Sequence, residues 1–170
     1  AGLGGDKKWF KLEADGRYFF KLVGDLVFRS RLYASRLYEV NSQSIPRTEK
    51  FTLGGARNLR GYSYEAIGPR EDITDSDGNT LSYNVGGLFA AYTSIEFEHP
   101  LAREAGLKWV VFFDAGDAGS VDHFVVKMDY GFGFRWFSPI GVLRFEFGYP
   151  IGLWRIICTQ YSKVAVSSTV

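Results

Sequence analysis

The sequence predicts an all-β chain, an antiparallel transmembrane β-barrel. Apolar and polar residues alternate with period two over stretches of about ten residues. The second face of that alternation repeatedly carries charge. No run approaches the roughly 18 apolar residues that a membrane-spanning helix needs, although aromatics make up 17% of the chain, so any membrane crossing must use strands. A soluble antiparallel sheet would also alternate. Repetition with charges on one face favours a lipid-facing band around a polar lumen.

Strands are expected at roughly 7–22, 26–40, 86–98, 107–115, 124–137 and 142–150, with a seventh within 153–166. In the first, Phe10, Leu12, Ala14, Tyr18, Phe20 and Leu22 oppose Lys11, Glu13, Asp15, Arg17 and Lys21. Val23-Gly24-Asp25 turns tightly into the second. Next comes a segment of about 45 residues, Asn41 to Val85, far longer than a hairpin connection and therefore expected to be functional. Its stretch Asp72 to Asn79, with Asp75, Asp77 and Gly78, reads as a solvated tip. D-x-D-G without the later Glu falls short of a calcium loop. On the strand at 86–98, Ser94, Glu96 and Glu98 alternate with Thr93, Ile95 and Phe97; on the strand at 107–115, Asp114 shares a face with Phe112.

The strand at 124–137 alternates most cleanly. Val126, Met128, Tyr130, Phe132, Phe134 and Trp136 share one face; Lys127, Asp129, Gly131, Gly133 and Arg135 share the other. Ser138-Pro139-Ile140-Gly141 turns into the last of the six, where Leu143, Phe145, Phe147 and Tyr149 oppose Arg144 and Glu146. Trp9, Trp109, Trp136 and Tyr149 lie near strand ends, where the aromatic girdles of a barrel are expected.

Composition narrows the function. At 170 residues the chain is one domain's worth, and 20 basic against 19 acidic residues give a formal charge of +1, which points to no nucleic-acid partner. A single cysteine, Cys158, leaves no internal disulfide framework and no multi-cysteine metal site. His99 and His123 are separated from Cys158 and from any well-placed Ser–Asp pair, and no nucleophile-elbow, zinc-protease or P-loop motif occurs. No catalytic residue, metal or cofactor is therefore expected, and the chain does not read as an enzyme. Glu96 and Glu98 on one face are more simply lumen polarity than a catalytic pair. No export signal is visible over Ala1–Gly5.

Within the long loop, Arg60 stands between Leu59 and Gly61-Tyr62, and a glycine after an arginine permits a tight or left-handed backbone. Gly54-Gly55 gives similar freedom upstream. Glu96 and Asp114, on neighbouring strands facing one lumen, would repel unless a cation stood between them. Arg60 is the candidate, because its planar fork can bond two carboxylates at once. Size adds a constraint. An eight-stranded barrel is filled by its own side chains and cannot also hold such a loop, so more strands are expected than this chain supplies. An open half-barrel would leave two unpaired edges in lipid.

Four motifs occur in one order: Phe51-Thr-Leu-Gly-Gly-Ala-Arg-Asn-Leu-Arg60-Gly61-Tyr62 with Gly68-Pro69 beyond it, Ser94-Ile-Glu96-Phe-Glu-His-Pro100, Phe112-Phe-Asp114-Ala-Gly116, and Gly131-Phe-Gly-Phe-Arg-Trp136-Phe-Ser-Pro139-Ile-Gly141. Together they resemble the BamA-like outer-membrane assembly and translocation barrels, the bacterial surface antigen superfamily. The resemblance covers roughly Trp9 to Ile151 and corresponds to the C-terminal half of a barrel of about sixteen strands. It implies a barrel segment at 1–151 with a lumen-directed loop at 41–85. The remainder, 152–170, is an atypical tail or degenerate last strand that lacks the family's terminal aromatic. The resemblance also implies that the loop folds back into the barrel and that its arginine contacts the acidic residues of the second and third motifs, here Glu96 and Asp114.

The function so implied is assembly and insertion of outer-membrane β-barrel proteins, by lateral opening of a seam whose strand edge templates incoming strands. The alternative within the superfamily is a polypeptide-secretion or passive pore with the loop as its plug. Implied partners are outer-membrane lipid, nascent outer-membrane β-barrel polypeptides and, through the POTRA domains that precede the barrel in the family, periplasmic assembly subunits. The implied location is the bacterial outer membrane.

Overall fold

A computed structural model describes residues 8–40, 45–74, 78–120 and 124–151, and the backbone of a strand at 163–168. Among the described residues nine strands form: β1 (Trp9–Lys21), β2 (Val27–Glu39), β3 (Arg70–Thr74), β4 (Thr80–Asn84), β5 (Phe89–Ala102), β6 (Leu107–Gly119), β7 (Lys127–Ser138), β8 (Gly141–Ile151) and β9 (Lys163–Ser168). Seven pair antiparallel in the order β1-β2-β5-β6-β7-β8-β9, and β3-β4 forms a separate two-stranded hairpin. The large sheet is open, with β1 and β9 at its edges, and constitutes part of a barrel wall.

Described strands of the wall present one charged and one apolar face, and in β7 the burial is inverted relative to a water-soluble protein. Along β7, Tyr130, Phe132, Phe134 and Trp136 are exposed while Asp129, Gly131, Gly133 and Arg135 are buried. Phe10, Leu12, Tyr18 and Phe20 of β1 are likewise exposed. Exposed aromatics opposite buried charge suit a wall with lipid outside and a polar interior. They do not suit a soluble sandwich, whose apolar face would be the covered one. Among the described residues no helix is long and apolar enough to cross a membrane.

The two ends of the wall differ. Short turns join β1 to β2, β5 to β6 and β7 to β8 at one end, whereas the long loop leaves from the other. Gly24 at φ +59° makes the first of these turns. At the same end Arg103, in the turn between β5 and β6, pairs with Asp25 in the turn between β1 and β2.

Some expectations need correcting. Two strands run further than the alternation suggests: β6 continues to Gly119, and β5 passes His99-Pro100 to Ala102, with a register irregularity between Pro100 and Ala102. Proline is tolerated there because the ladder is already interrupted. The solvated tip at Asp72–Asn79 is built from the β3–β4 hairpin, in which Asp72 pairs with Ser82 and Ile73 with Leu81. Alternation is too short over five residues to reveal it. Asp75, Asp77, His123, Cys158 and Ala1–Gly5 lie outside the described residues, as does most of 152–170.

The buried apolar core lies between the loop and the wall. Leu53, Leu59 and Ile67 from the loop pack with Ala90 and Tyr92 of β5 and Ala118 of β6, flanked by Tyr33, Phe51 and Tyr62. Leu59 and Ile67 are fully buried. Transfer from water stabilises each such side chain by about 1.5–3 kcal/mol, so the loop is held to the wall by burial as well as by charge.

Candidate functional site

The loop folds back along itself before it reaches the wall. Leu53 and Ile67 exchange backbone hydrogen bonds at 2.9 Å, and Phe51 does the same with Gly87 at 2.8 and 2.9 Å. Between these bridges the backbone turns at Gly54 and Gly55, with φ of +111° and +104°, values that glycine adopts without a Cβ penalty. The side-chain oxygen of Asn58 accepts from the Gly54 N–H at 2.8 Å and from the Leu59 N–H at 2.7 Å. This knot presents Leu59 to the core and aims Arg60 at the strands.

Gly61 lies in a tight turn, closed by the Tyr62 N–H donating to the Leu59 carbonyl at 3.3 Å. Its φ is not positive, so of the two backbones expected the tight one forms. A Cβ there would lie 2.5 Å from Asp129 Cβ and 3.0 Å from the Tyr149 carbonyl carbon and the Pro150 nitrogen, so the residue also permits close approach of the loop backbone to β7 and β8. Tyr62 follows, donating its hydroxyl to the Met128 carbonyl at 3.2 Å. Burial raises the phenol of Tyr62 above its ordinary range.

Arg60 is 4% exposed. Its Nε donates to Asp114 Oδ2 at 2.8 Å and its Nη2 to Asp114 Oδ1 at 2.7 Å, a bidentate fork. Nη1 donates to Glu96 Oε1 at 2.5 Å and Glu146 Oε2 at 3.3 Å, and Nη2 also reaches Ser94 Oγ at 3.0 Å. The guanidinium lies over the Phe112 ring, 3.5 Å from its centroid, a favourable placement for a desolvated cation. Burial works against the charge, but the hydrogen bonds and attraction of Asp114, with Glu96 and Glu146, raise the guanidinium above its ordinary range. Arg60 therefore stays charged.

Register explains why these groups meet. Ser94 faces Asp114, and Glu96 faces Phe112, so the serine and both carboxylates project from adjacent rows of β5 and β6. Ser94 donates to Asp114 Oδ1 at 2.6 Å. Opposite Phe112 on β7 stands Gly131, where a Cβ would collide with the Phe112 ring and the Phe147 carbonyl oxygen. Absence of a side chain there makes room for the ring on which Arg60 rests.

The structure thus places Arg60 against Glu96 and Asp114, with Gly54, Gly55, Leu59, Gly61 and Tyr62 supporting it. It adds partners that the motifs do not single out. Arg135 donates to Glu146 at 2.8 Å, to Glu96 at 2.9 Å and to Glu98 at 2.9 Å, so it shares two of the Arg60 carboxylates. Arg144 reaches Glu146 at 2.8 Å, Lys108 reaches Glu98 at 2.8 Å and Arg29 reaches Glu98 at 3.1 Å. Alternation had put Glu98, Arg135, Arg144 and Glu146 on the lumen face; only register across four strands makes them one network. Asp129 stands directly across from Asp114 and is fully buried, yet its carboxylate oxygens have no hydrogen-bond partner among the described residues.

Among the described residues Glu96, Glu98, Asp114 and Glu146 are each paired with an arginine or lysine, and the network ties the loop to the wall. Comparison with known proteins agrees with a barrel. Residues 1–153 match the model of the Omp85 superfamily domain. The outer membrane protein assembly factor BamA of Nitratidesulfovibrio vulgaris is 28% identical over 154 residues, covering 88% of this chain and 19% of the relative. The human sorting and assembly machinery component 50 homolog is 30% identical over 97 residues, covering 55% of this chain and 19% of the relative. The crystal structure of BamA from Haemophilus ducreyi lacking POTRA domains 1–3 superposes with a TM-score of 0.78 at 20% identity, over 89% of this chain and 33% of that one. The chain therefore spans about a fifth of the length of these curated relatives. An inverted strand pattern, an ordered set of motifs and a family match over nearly all its length make it a multi-pass β-barrel segment of an outer membrane, and the chain belongs to the Omp85 superfamily.

Proposed function

We propose that this chain is the C-terminal barrel portion of a factor that assembles β-barrel proteins into the outer membrane, with 1–151 as barrel segment, 41–85 as its lumen-docked loop and 152–170 as an atypical tail or degenerate last strand. The observation that carries the reading is the buried fork of Arg60 on Asp114 in a chain of this family. The curated relatives named above are assembly components, which favours assembly over the alternative of a secretion or passive pore.

The proposed mechanism is structural. An unpaired backbone group in lipid costs several kcal/mol, so the edge of a barrel seam that opens sideways is a strong template for an incoming strand. For the seam to open without collapse, the rest of the wall must stay rigid. Arg60 supplies that rigidity by tying the loop to β5, β6 and β8 through Glu96, Asp114 and Glu146. Client strands and outer-membrane lipid are the proposed partners, with periplasmic assembly subunits reached through domains outside this sequence. No cofactor or bond-making step is required.

Reconstitution tests this. The intact protein in liposomes should speed insertion of a denatured β-barrel client, and Arg60→Ala should slow it. A client that inserts no faster than into protein-free liposomes would overturn the reading, and leakage of small solutes without insertion would favour a pore.

A further inference from the structure

A second lumen feature adjoins the Arg60 network, whose Arg60, Glu96, Arg135 and Arg144 form one of its walls. A cavity of about 620 Å³ opens between the loop and the wall, and arginines from five segments border it. Those on the β5, β7 and β8 side are neutralised by Glu96, Glu98 and Glu146. The β1–β2 side differs. Arg17 and Arg31 stand directly opposite each other and share a single carboxylate, Asp15, at 3.0 and 2.8 Å. Arg57, on the loop, is exposed, borders the same cavity and forms no ion pair with a described residue. Three guanidinium groups thus face one carboxylate.

Like charges directly across a strand pair are destabilising, and a partly enclosed chamber screens them less than open water does. Of the three, Arg31 is held in place rather than free to swing away. Arg31 lies 5.2 Å from the ring of Tyr92 and 6.0 Å from that of Tyr33, and these rings stack on each other at 5.0 Å. Asn58 also borders the cavity, and with its oxygen occupied by Gly54 and Leu59 its amide N–H groups are left to donate. With Nε and Nη2 of Arg17 and Arg31 turned to Asp15, their Nη1 groups, the fork of Arg57 and the Asn58 amide are the donors left, and with two surplus positive charges they match an oxyanion of charge about two with several acceptor oxygens.

We propose that this chamber binds a phosphate-type dianion, held by Arg17, Arg31 and Arg57. Its source is either free phosphate in the lumen or the phosphomonoester of a lipid headgroup. The site is independent of the assembly reading, since none of the three arginines belongs to the Arg60 network.

The test is calorimetric titration of the intact protein in uncharged detergent micelles, with ionic strength held constant by chloride. Inorganic phosphate is the first probe, and micelles doped with phosphatidic acid are the second. Arg57→Gln is the principal variant because it disturbs no ion pair; Arg17→Gln is the second, and gel mobility of the folded form controls for folding in both. Saturable binding of inorganic phosphate, weakened about tenfold in Arg57→Gln as expected for loss of one charge-assisted hydrogen bond, supports the site with free phosphate as ligand. Saturable binding of phosphatidic acid alone, weakened likewise, supports it with the lipid as source. No saturable binding of either probe, or binding unchanged in both folded variants, overturns it.

Discussion

Gly61 and Gly148 meet backbone to backbone: a Cβ on Gly148 would fall 2.6 Å from the Gly61 nitrogen and 2.7 Å from the Arg60 carbonyl carbon. The loop touches the wall here without side chains between them. Because backbone cannot yield as a flexible side chain can, Gly148→Ala should push the loop off β8 at a cost of about 1–3 kcal/mol, the range for overpacking. Limited proteolysis of the folded barrel should show faster cleavage near Arg57 in this variant. Cleavage at the wild-type rate would mean that the contact has slack.

Arg60→Lys separates charge from geometry. Lysine keeps the positive charge but has no planar fork, so it cannot bond both Asp114 oxygens while reaching Glu96. Thermal unfolding followed by semi-native gel mobility should place Arg60→Lys between wild type and Arg60→Ala. The alanine variant should lose about 3–5 kcal/mol, as for breaking one side of a buried ion pair. A lysine variant indistinguishable from wild type would show that charge alone suffices.

Asp114 and Asp129 face each other but should respond oppositely to neutralisation. Asp114 holds the Arg60 fork, so Asp114→Asn should destabilise the folded barrel. Asp129 is buried directly across from Asp114, and like charges opposite each other on a strand pair are destabilising, so Asp129→Asn should be neutral or stabilising. Comparison of the two midpoints in urea checks the difference in sign.

Tyr62→Phe removes one hydrogen bond, to the Met128 carbonyl, and leaves the ring against the core. A loss of about 0.5–1.5 kcal/mol is expected, far smaller than that of Arg60→Ala. A larger effect in the same gel assay would assign the hydroxyl a role beyond this contact.

Outside the wall, Phe132→Lys should cost about 2–4 kcal/mol if the residue sits near the bilayer midplane. Phe132 is 46% exposed near the middle of β7, and a soluble protein would tolerate or welcome a lysine there. Refolding yield into lipid vesicles, compared with yield in detergent, checks this.

Which parts of this architecture the sequence displays follows from what alternation can encode. Parity along a strand assigns faces, so Glu96, Asp114, Asp129, Arg135 and Glu146 are legible as lumen residues one strand at a time. Register depends on turn lengths and irregularities such as that between Pro100 and Ala102. Parity therefore cannot say that Arg135 of β7 reaches Glu98 of β5 across β6. The β3–β4 hairpin escaped because five-residue strands carry too few alternations to stand out from loop sequence. Gly61 shows the opposite limit: the residue is legible as a turn position, but its close approach to β7 and β8, with four strands between in the chain, is not.

Placing the apolar core between loop and wall has a consequence for the order of folding. Without Leu59 and Ile67 the lumen face has nothing to bury, and without Arg60 the carboxylates of Glu96, Asp114 and Glu146 lose a cation that all three share. A wall that curled before the loop arrived would hold Asp114 in a wet interior without the cation it binds in the folded state. Loop capture and curvature of the sheet are therefore expected to proceed together, with the loop as the template around which the wall acquires its shape.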